Sequence, residues 1–469
     1  MKVLMVSHNF PPAHTAGTEI YTAQLARRLA DLGLEVHVFC ADKDVGRPDL
    51  SVGERVFEGL PVTELVNNLC YDGFAETWDH PRIAALFGEL LDRERPDVCH
   101  FQHLLYLSIG CVEEAARRGL PVVFTLHDYW LQCPRFGQRV HADHSICHTI
   151  DPARCGTCLA SFKFRQTAFE RLGGRVIAGI QRTTGVDLSA AAKRARERLG
   201  GREAEQAASA EPPPAELAAR METEVRLREA AIRERLLPQV DRFLAPSRFL
   251  RDRFVEWGVP PERIEYVRTG LDPQTFGAAG LERRARAPGA PLRVAFVGTL
   301  APHKGPDLLL EAWGRLPAEL RARARLELFG PSRHYAAFRE ALARRAREVG
   351  ATLAGELERE DVPRRLCEID LLVVPSVWYE NAPLVIHEAL ATGTPLLVAR
   401  IGGMAELVAE GRNGFLFAVG DAADLADKLG GLIREPERLD RLERDPAEFK
   451  SADDDARAVA ALYRELTAG

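Results

Sequence analysis

The chain alternates between short apolar runs and longer stretches in which apolar positions recur at helical spacing. Lys2–Ser7 reads as a buried strand, followed by a loop carrying Pro11, Pro12 and Gly17, an amphipathic helix over 18–32 and a second strand over 35–41. The layout recurs far downstream as strand Leu292–Val297, loop 298–305, helix 306–316 and strand 326–329. Apolar runs at 97–101, 121–126, 242–245, 264–268, 371–375 and 395–398 supply further strands. Strands alternating with helices build parallel sheets, so the pattern predicts an α/β protein with two Rossmann-like, doubly wound domains. Open sheets bind ligands beyond the carboxyl ends of their strands, and the two are expected to face a central cleft.

The spacing also suggests boundaries. Residues 1–270 form the expected N-terminal domain and 271–290 a linker rich in Gly, Ala, Pro and Arg; 291–450 form the C-terminal domain, and 451–469 a last helix crossing back to the first domain. Over 161–237 the composition turns to Ala, Arg and Glu, interrupted by Pro212-Pro213-Pro214; this reads as an inserted helical arm with 185–210 as a mobile stretch. The chain's 469 residues already call for more than one domain.

A hydrophobic content of 46% with 28% charged residues excludes collagen-like, disordered and multi-span membrane classes. A net charge of −6 gives no support to a nucleic-acid partner. The first residues turn polar before an export signal forms, so a cytoplasmic, reducing location is expected and disulfides are not. Seven of the 62 basic residues are Lys and the rest are Arg, which makes each Lys a departure from the chain's habit.

One of those seven sits in Gly298-Thr-Leu-Ala-Pro-His-Lys304-Gly305, a strand-to-helix loop whose N–H groups, helix N-terminus and ammonium suit a phosphate or diphosphate. A second motif, Glu380-Asn-Ala-Pro-Leu-Val-Ile-His-Glu388, follows the strand ending Val374-Pro375-Ser376. Glu380 is placed at the mouth of a helix starting near Pro383 and Glu388 inside it, so one carboxylate can face a reacting centre while the other accepts hydrogen bonds from a polyol such as ribose. Neither loop carries G-x-G-x-x-G, so a dinucleotide cofactor gains no support.

The run from Phe296 to Gly420, with F-V-G-x-L-x-x-x-K-G, P-S, E-x7-E, G-x-P and G-G-x-x-E, resembles the C-terminal half of the retaining glycosyltransferases of family 4, which have the GT-B fold. Gly17-Thr-Glu19, Pro96-Asp97-Val-Cys-His100, Phe124-Thr-Leu-His127-Asp128 and Ala245-Pro-Ser247 agree in the N-terminal half. The resemblance implies transfer of a sugar from a nucleotide-diphosphate sugar to a hydroxyl of a saccharide or lipid-linked acceptor, in cell-surface polysaccharide or glycolipid biosynthesis. It implies that Lys304 holds the diphosphate, that Glu388 binds the ribose, and that the N–H groups of Leu384 and Val385 bind phosphate. Glu380 would lie beside the transferred sugar, His127 would contact it, and Gly17 would let the first loop approach the diphosphate. Configuration is retained in the family, the donor phosphate takes the acceptor proton, and no catalytic cofactor is needed.

The chain departs from the pattern at Thr299, where Arg is common, at Gly330-Pro-Ser and at Arg268-Thr-Gly. A second cation for the diphosphate must then come from elsewhere, with Arg135 and Arg333 as candidates. Asp42-Lys-Asp44 and Asp453–Asp455 read as solvated charge in place of metal-holding D-x-D motifs. Alternative readings are a catalytically idle nucleotide-sugar-binding scaffold, or a GT-B-like epimerase or phosphorylase.

Cys133, Cys147, Cys155 and Cys158 form C-x13-C-x7-C-x2-C, and the tight C-x2-C pair is the knuckle that structural zinc sites use, with His141, Asp143, His144 and His148 nearby. Structural zinc is the favoured reading, with four idle thiols, or a redox or iron–sulfur site, as the alternatives. Phe162-Lys-Phe-Arg-Gln-Thr-Ala-Phe169 mixes aromatic and basic residues; it reads either as a peripheral membrane contact on the cytoplasmic face or as packing against the N-terminal domain.

Overall fold

The computed structural model describes every residue except 142, 144, 168–169, 171, 174–175, 178–179, 181–212, 273–275, 277–285, 288, 332–334, 444–449 and 469. The expected mobile stretch 185–210, Arg333, His144 and Phe169 lie outside the described residues. The chain divides into two compact units. One comprises Met1–Pro246, Leu250–Val267 and Asp454–Gly469; the other comprises Ser247–Phe249 and Arg268–Asp453.

The first unit is built on a sheet of β1 (Lys2–Ser7), β2 (Glu35–Asp42), β3 (Val52–Phe57), β4 (Leu60–Val66), β5 (Val98–Phe101), β6 (Val122–Thr125), β7 (Arg242–Ala245) and β8 (Ile264–Tyr266). Their order is β3-β4-β2-β1-β5-β6-β7-β8, parallel throughout except for the β3–β4 hairpin. Its central strands are covered on both faces, which is why β1, β5 and β6 are apolar runs without alternation. Strand β3 lies at the edge and alternates exposed with half-buried positions, a weak apolar signal that the sequence pattern does not reveal.

The helix Gly17–Asp31 starts one residue earlier than the periodicity predicts and buries Leu25, Ala26 and Leu29 against β1 and its neighbours. Ala456, Val459, Ala460 and Tyr463 of the last helix, Ala452–Thr467, enter the same core beside Val3, Val36 and Val98. Asp455 is buried there and hydrogen-bonded to Tyr21, which corrects its reading as solvated charge. The burial follows from helical phase, since Asp455 shares the face of Val459.

The second unit carries β9 (Leu292–Val297), β10 (Ala324–Phe329), β11 (Thr352–Gly355), β12 (Leu371–Val374), β13 (Leu396–Ala399) and β14 (Gly414–Phe417), ordered β11-β10-β9-β12-β13-β14 and all parallel. This is the doubly wound Rossmann order, in which the winding direction reverses between β9 and β12. Loops leaving those two strands therefore diverge and open a crevice at the strand ends. In the first unit the same reversal falls between β1 and β5.

Candidate active site

Lys304 and Glu380 occupy the two loops that flank the reversal in the second unit. Gly305 adopts φ +68°, and a Cβ there would lie 2.2 Å from the Pro375 carbonyl oxygen, so a glycine lets the loop after β9 touch the end of β12. Lys304, in the short turn Pro302–Lys304, is thereby delivered to the β12 loop. Its Nζ donates to Glu380 Oε1 at 2.5 Å, Ser376 Oγ donates to the same oxygen at 3.1 Å, and Nζ lies 5.2 Å from the Trp378 ring centre. Burial pushes the Glu380 carboxyl up, but the charge and hydrogen bond of Lys304 outweigh it and hold the group below the ordinary range.

The backbone of Glu380 is braced from behind. Gly402 at φ +60° would place a Cβ 2.5 Å from the Glu380 carbonyl oxygen, and Gly403 N–H donates to that oxygen at 2.8 Å. The glycines of G-G-x-x-E thus serve the first carboxylate of E-x7-E.

The helix Leu384–Ala391 begins right after Pro383, so Leu384 and Val385 present N–H groups that the helix itself cannot satisfy. Glu388 lies one turn further in, buried, and pairs with the Arg359 guanidinium, which also covers the Phe276 ring. Burial dominates here and raises the Glu388 carboxyl above its ordinary value, with Arg359 pulling it back. Arg359 was not singled out from the sequence; among so many arginines nothing marks it.

In the first unit, His127 follows β6 and sits among polar side chains from the loops after β1 and β5. Its Nε2–H donates to Gln102 Oε1 at 2.8 Å, and its ring meets Tyr21 edge-on at 5.2 Å between centres. Burial, reinforced by His103, lowers His127 to about 3 and keeps the imidazole neutral. Leu105 N–H donates to His103 Nδ1 at 2.9 Å, which puts the His103 proton on Nε2, facing Asp128 Oδ2 at 3.1 Å. His8, 4.5 Å from His103 between ring centres, contacts Glu19 at 3.3 Å; burial would raise Glu19, but His8 holds it at about 2. Gly17 opens its helix with open space where a Cβ would point.

Gln102, His103 and His8 are absent from the sequence-derived candidates. Their signal was position: each stands just past the carboxyl end of a strand next to the reversal. Arg135, a candidate second cation, donates to the Val140 carbonyl at 3.3 Å and lies over the Phe162 ring.

None of the nine cysteines is in a disulfide. Cys133, Cys147, Cys155 and Cys158 are all buried, and the three others help burial raise Cys155 to about 12. Among the described residues, no group of three or more His, Cys, Asp or Glu side chains is arranged to hold a metal ion. The closed thiolate tetrahedron expected from C-x2-C is therefore not assembled: Cys147 Sγ donates to the Thr149 carbonyl at 3.3 Å, and Cys158 Sγ pairs with His141 Nδ1 at 3.4 Å. Phe162 and Phe164 pack edge-on against Phe136 and Phe74, at 4.8 and 5.4 Å between ring centres. No described helix is long and apolar enough to cross a membrane.

Two parallel, Rossmann-like sheets, each with its strand-order reversal, are the architecture of the GT-B fold class. Three family models match the chain: Glycosyl transferase 4-like domain over 16–154, Glycosyltransferase Family 4 over 219–275 and Glycosyl transferases group 1 over 281–447. The chain belongs to the family 4 glycosyltransferases. It is 34% identical over 220 residues to the D-inositol 3-phosphate glycosyltransferase of Nocardia farcinica, covering 45% of this chain and 48% of that protein. With this relative, as with several others of the same name, the match spans about half of the relative's length. D-inositol 3-phosphate glycosyltransferase 2 of Catenulispora acidiphila is 28% identical over 100% of this chain and 98% of its own. The crystal structure of Anabaena Alr3699/HepE in complex with UDP and glucose shares the fold, with a TM-score of 0.59, 16% identity, and 98% of this chain and 99% of that one covered.

Proposed function

We propose that this protein is a retaining glycosyltransferase that moves a sugar from a nucleotide-diphosphate donor to a hydroxyl of a saccharide or lipid-linked acceptor in cell-surface polysaccharide or glycolipid biosynthesis. The observation that carries this reading is the Lys304–Glu380 pair at the β9/β12 reversal, next to the open N–H groups of Leu384 and Val385. A departing nucleotide diphosphate gathers negative charge while the sugar becomes cation-like, so the chemistry calls for fixed positive groups at the phosphates and a carboxylate by the sugar. In this reading Lys304 and the two N–H groups receive the diphosphate, Glu388 accepts hydrogen bonds from the ribose hydroxyls, and Glu380 stands by the transferred sugar. His127, neutral, is assigned a contact with that sugar, and Gly17 the close approach of the first loop. The acceptor proton passes to the departing phosphate, so no side chain is given the role of general base.

We place the reaction in a reducing, cytoplasmic setting, which nine cysteines outside any disulfide favour. Structural zinc at the cysteine cluster would require Cys147 to turn from the Thr149 carbonyl toward its partners. Metal content measured on protein purified without chelator decides it, with one zinc per chain supporting the site and none leaving four buried thiols.

Transfer assays on UDP-, GDP- and ADP-sugars test the central reading, with D-inositol 3-phosphate, the compound in the names of two relatives, first among the acceptors tried. Turnover with one donor supports it. Nucleotide binding without turnover on any donor favours the idle scaffold instead.

A further inference from the structure

The ring of Trp378 lies beside the Lys304–Glu380 pair. Lys304 Nζ sits over it at 5.2 Å from the ring centre, and the His303 ring meets it tilted at 4.3 Å between centres. The backbone fixes the place of the ring from both sides: Val377 N–H donates to the His303 carbonyl and Glu380 N–H to the Trp378 carbonyl, each at 2.9 Å. Trp378 is half-buried, and the Lys304 side chain keeps 26% of its surface open to solvent.

An ammonium carries three N–H donors and no acceptor. Among the described residues Glu380 is the acceptor that Lys304 Nζ finds, so two of its donors remain for a ligand. A lysine stem is long and flexible, and a single salt bridge holds it weakly in place. A second carboxylate or carbonyl would steady the ammonium, but it would take another N–H and compete with a phosphate. An aromatic face attracts the same charge through its quadrupole and leaves the donors available. Burial pushes the Glu380 carboxyl up; after Lys304, the Trp378 indole helps to hold it ionised.

On the reading given above, in which Lys304 receives the diphosphate, we propose that Trp378 is a positioning residue for that lysine: its ring face holds the ammonium beside Glu380 while leaving two N–H groups for the oxygens of a nucleotide diphosphate. A cation steadied before the ligand arrives loses less freedom on binding. The contribution of the ring therefore appears in diphosphate affinity and vanishes once the charge at position 304 is removed.

Calorimetric titration with UDP, GDP, ADP and inorganic pyrophosphate supplies the probe, taken as the one that the wild type binds most tightly. Trp378→Leu should weaken that binding about three- to tenfold, as for one cation–π contact partly open to water. Trp378→Phe keeps an aromatic face and should stay within about twofold of the wild type, which also guards against a leucine variant that folds poorly. In a Lys304→Met background, Trp378→Leu should cause no further loss, whereas a ring that merely supports the loop would weaken binding there as much as in the wild type. A loss of full size in that background, or a phenylalanine variant as weak as the leucine one, overturns the proposal and leaves Lys304 as the diphosphate contact. Unchanged binding in Lys304→Met alone, or binding of none of these probes, overturns the reading of Lys304 and the role of Trp378 with it.

Discussion

Lys304 Nζ and Glu380 Oε1 meet at 2.5 Å although their positions are 76 residues apart, because a glycine lets the loop carrying one lie against the strand end that carries the other. The contact pairs a buried carboxylate with an ammonium that stays partly open to solvent. Removing the lysine leaves that buried carboxylate without the charge that holds it ionised.

Lys304→Ala should lower turnover at least about tenfold, a loss of roughly 1.4 kcal/mol of transition-state stabilisation. It should also destabilise the fold more than the double variant Lys304→Ala with Glu380→Gln, which leaves no unpaired buried charge. Chemical denaturation of the three proteins measures this; a double variant less stable than the single would show that the pair is not coupled.

The two carboxylates of E-x7-E are pushed in opposite directions, Glu380 down and Glu388 up. Arg359→Ala removes the group that holds Glu388 back, so Glu388 should protonate at higher pH and accept hydrogen bonds less well. Nucleotide affinity, followed by calorimetry, should weaken several-fold, about 1 kcal/mol, and the loss should grow as pH falls. A pH-independent loss would mean that Arg359 acts on the ligand itself.

His100 and His387 are buried and His127 is half-buried, and loss of solvent lowers all three to about 3, so protonating any of them disfavours the folded state. A depressed folded value means that the stability is fully present above the unfolded value of about 6.5 and is lost as pH falls toward about 3. Each histidine contributes a slope of about 1.4 kcal/mol per pH unit within that window. Melting temperature should hold steady from pH 8 to 7 and drop with increasing steepness below 6.5; a flat profile down to pH 5 would contradict the buried neutral rings.

Gly156 faces the helix Ala215–Ala231 so closely that a Cβ would lie 2.5 Å from the Ala218 carbonyl oxygen and 2.7 Å from Glu222 N. Gly156→Ala should therefore cost about 1–3 kcal/mol despite the higher helix propensity of Ala, read as a lowered melting temperature. An unchanged or raised value would show that the two helices are not packed there.

The central strands were legible because burial on both faces writes itself as an unbroken apolar run: β1, β7 and β9 coincide with the runs that predicted them. The hairpin β3–β4 and the short strands β11 and β14 were not, since edge exposure and four-residue length erase that signal. Lys304, Glu380 and Glu388 could be read because rarity and spacing mark them. The partner that pulls on the charge of Glu388 could not, because Arg359 is one arginine among many, brought in by the fold. His127 was visible within its motif, but Gln102, which accepts its Nε2–H, stands on a different strand end and no local pattern links the two.

Arg228, buried in the helix Ala215–Ala231, donates to the carbonyls of Trp130 and Leu131, just beyond His127, while Gly156 holds the start of the insertion against the same helix. One helix thus clamps both the loop that carries His127 and the cysteine-bearing helix Pro152–Ala160, so a substitution on its inner face would be felt at both.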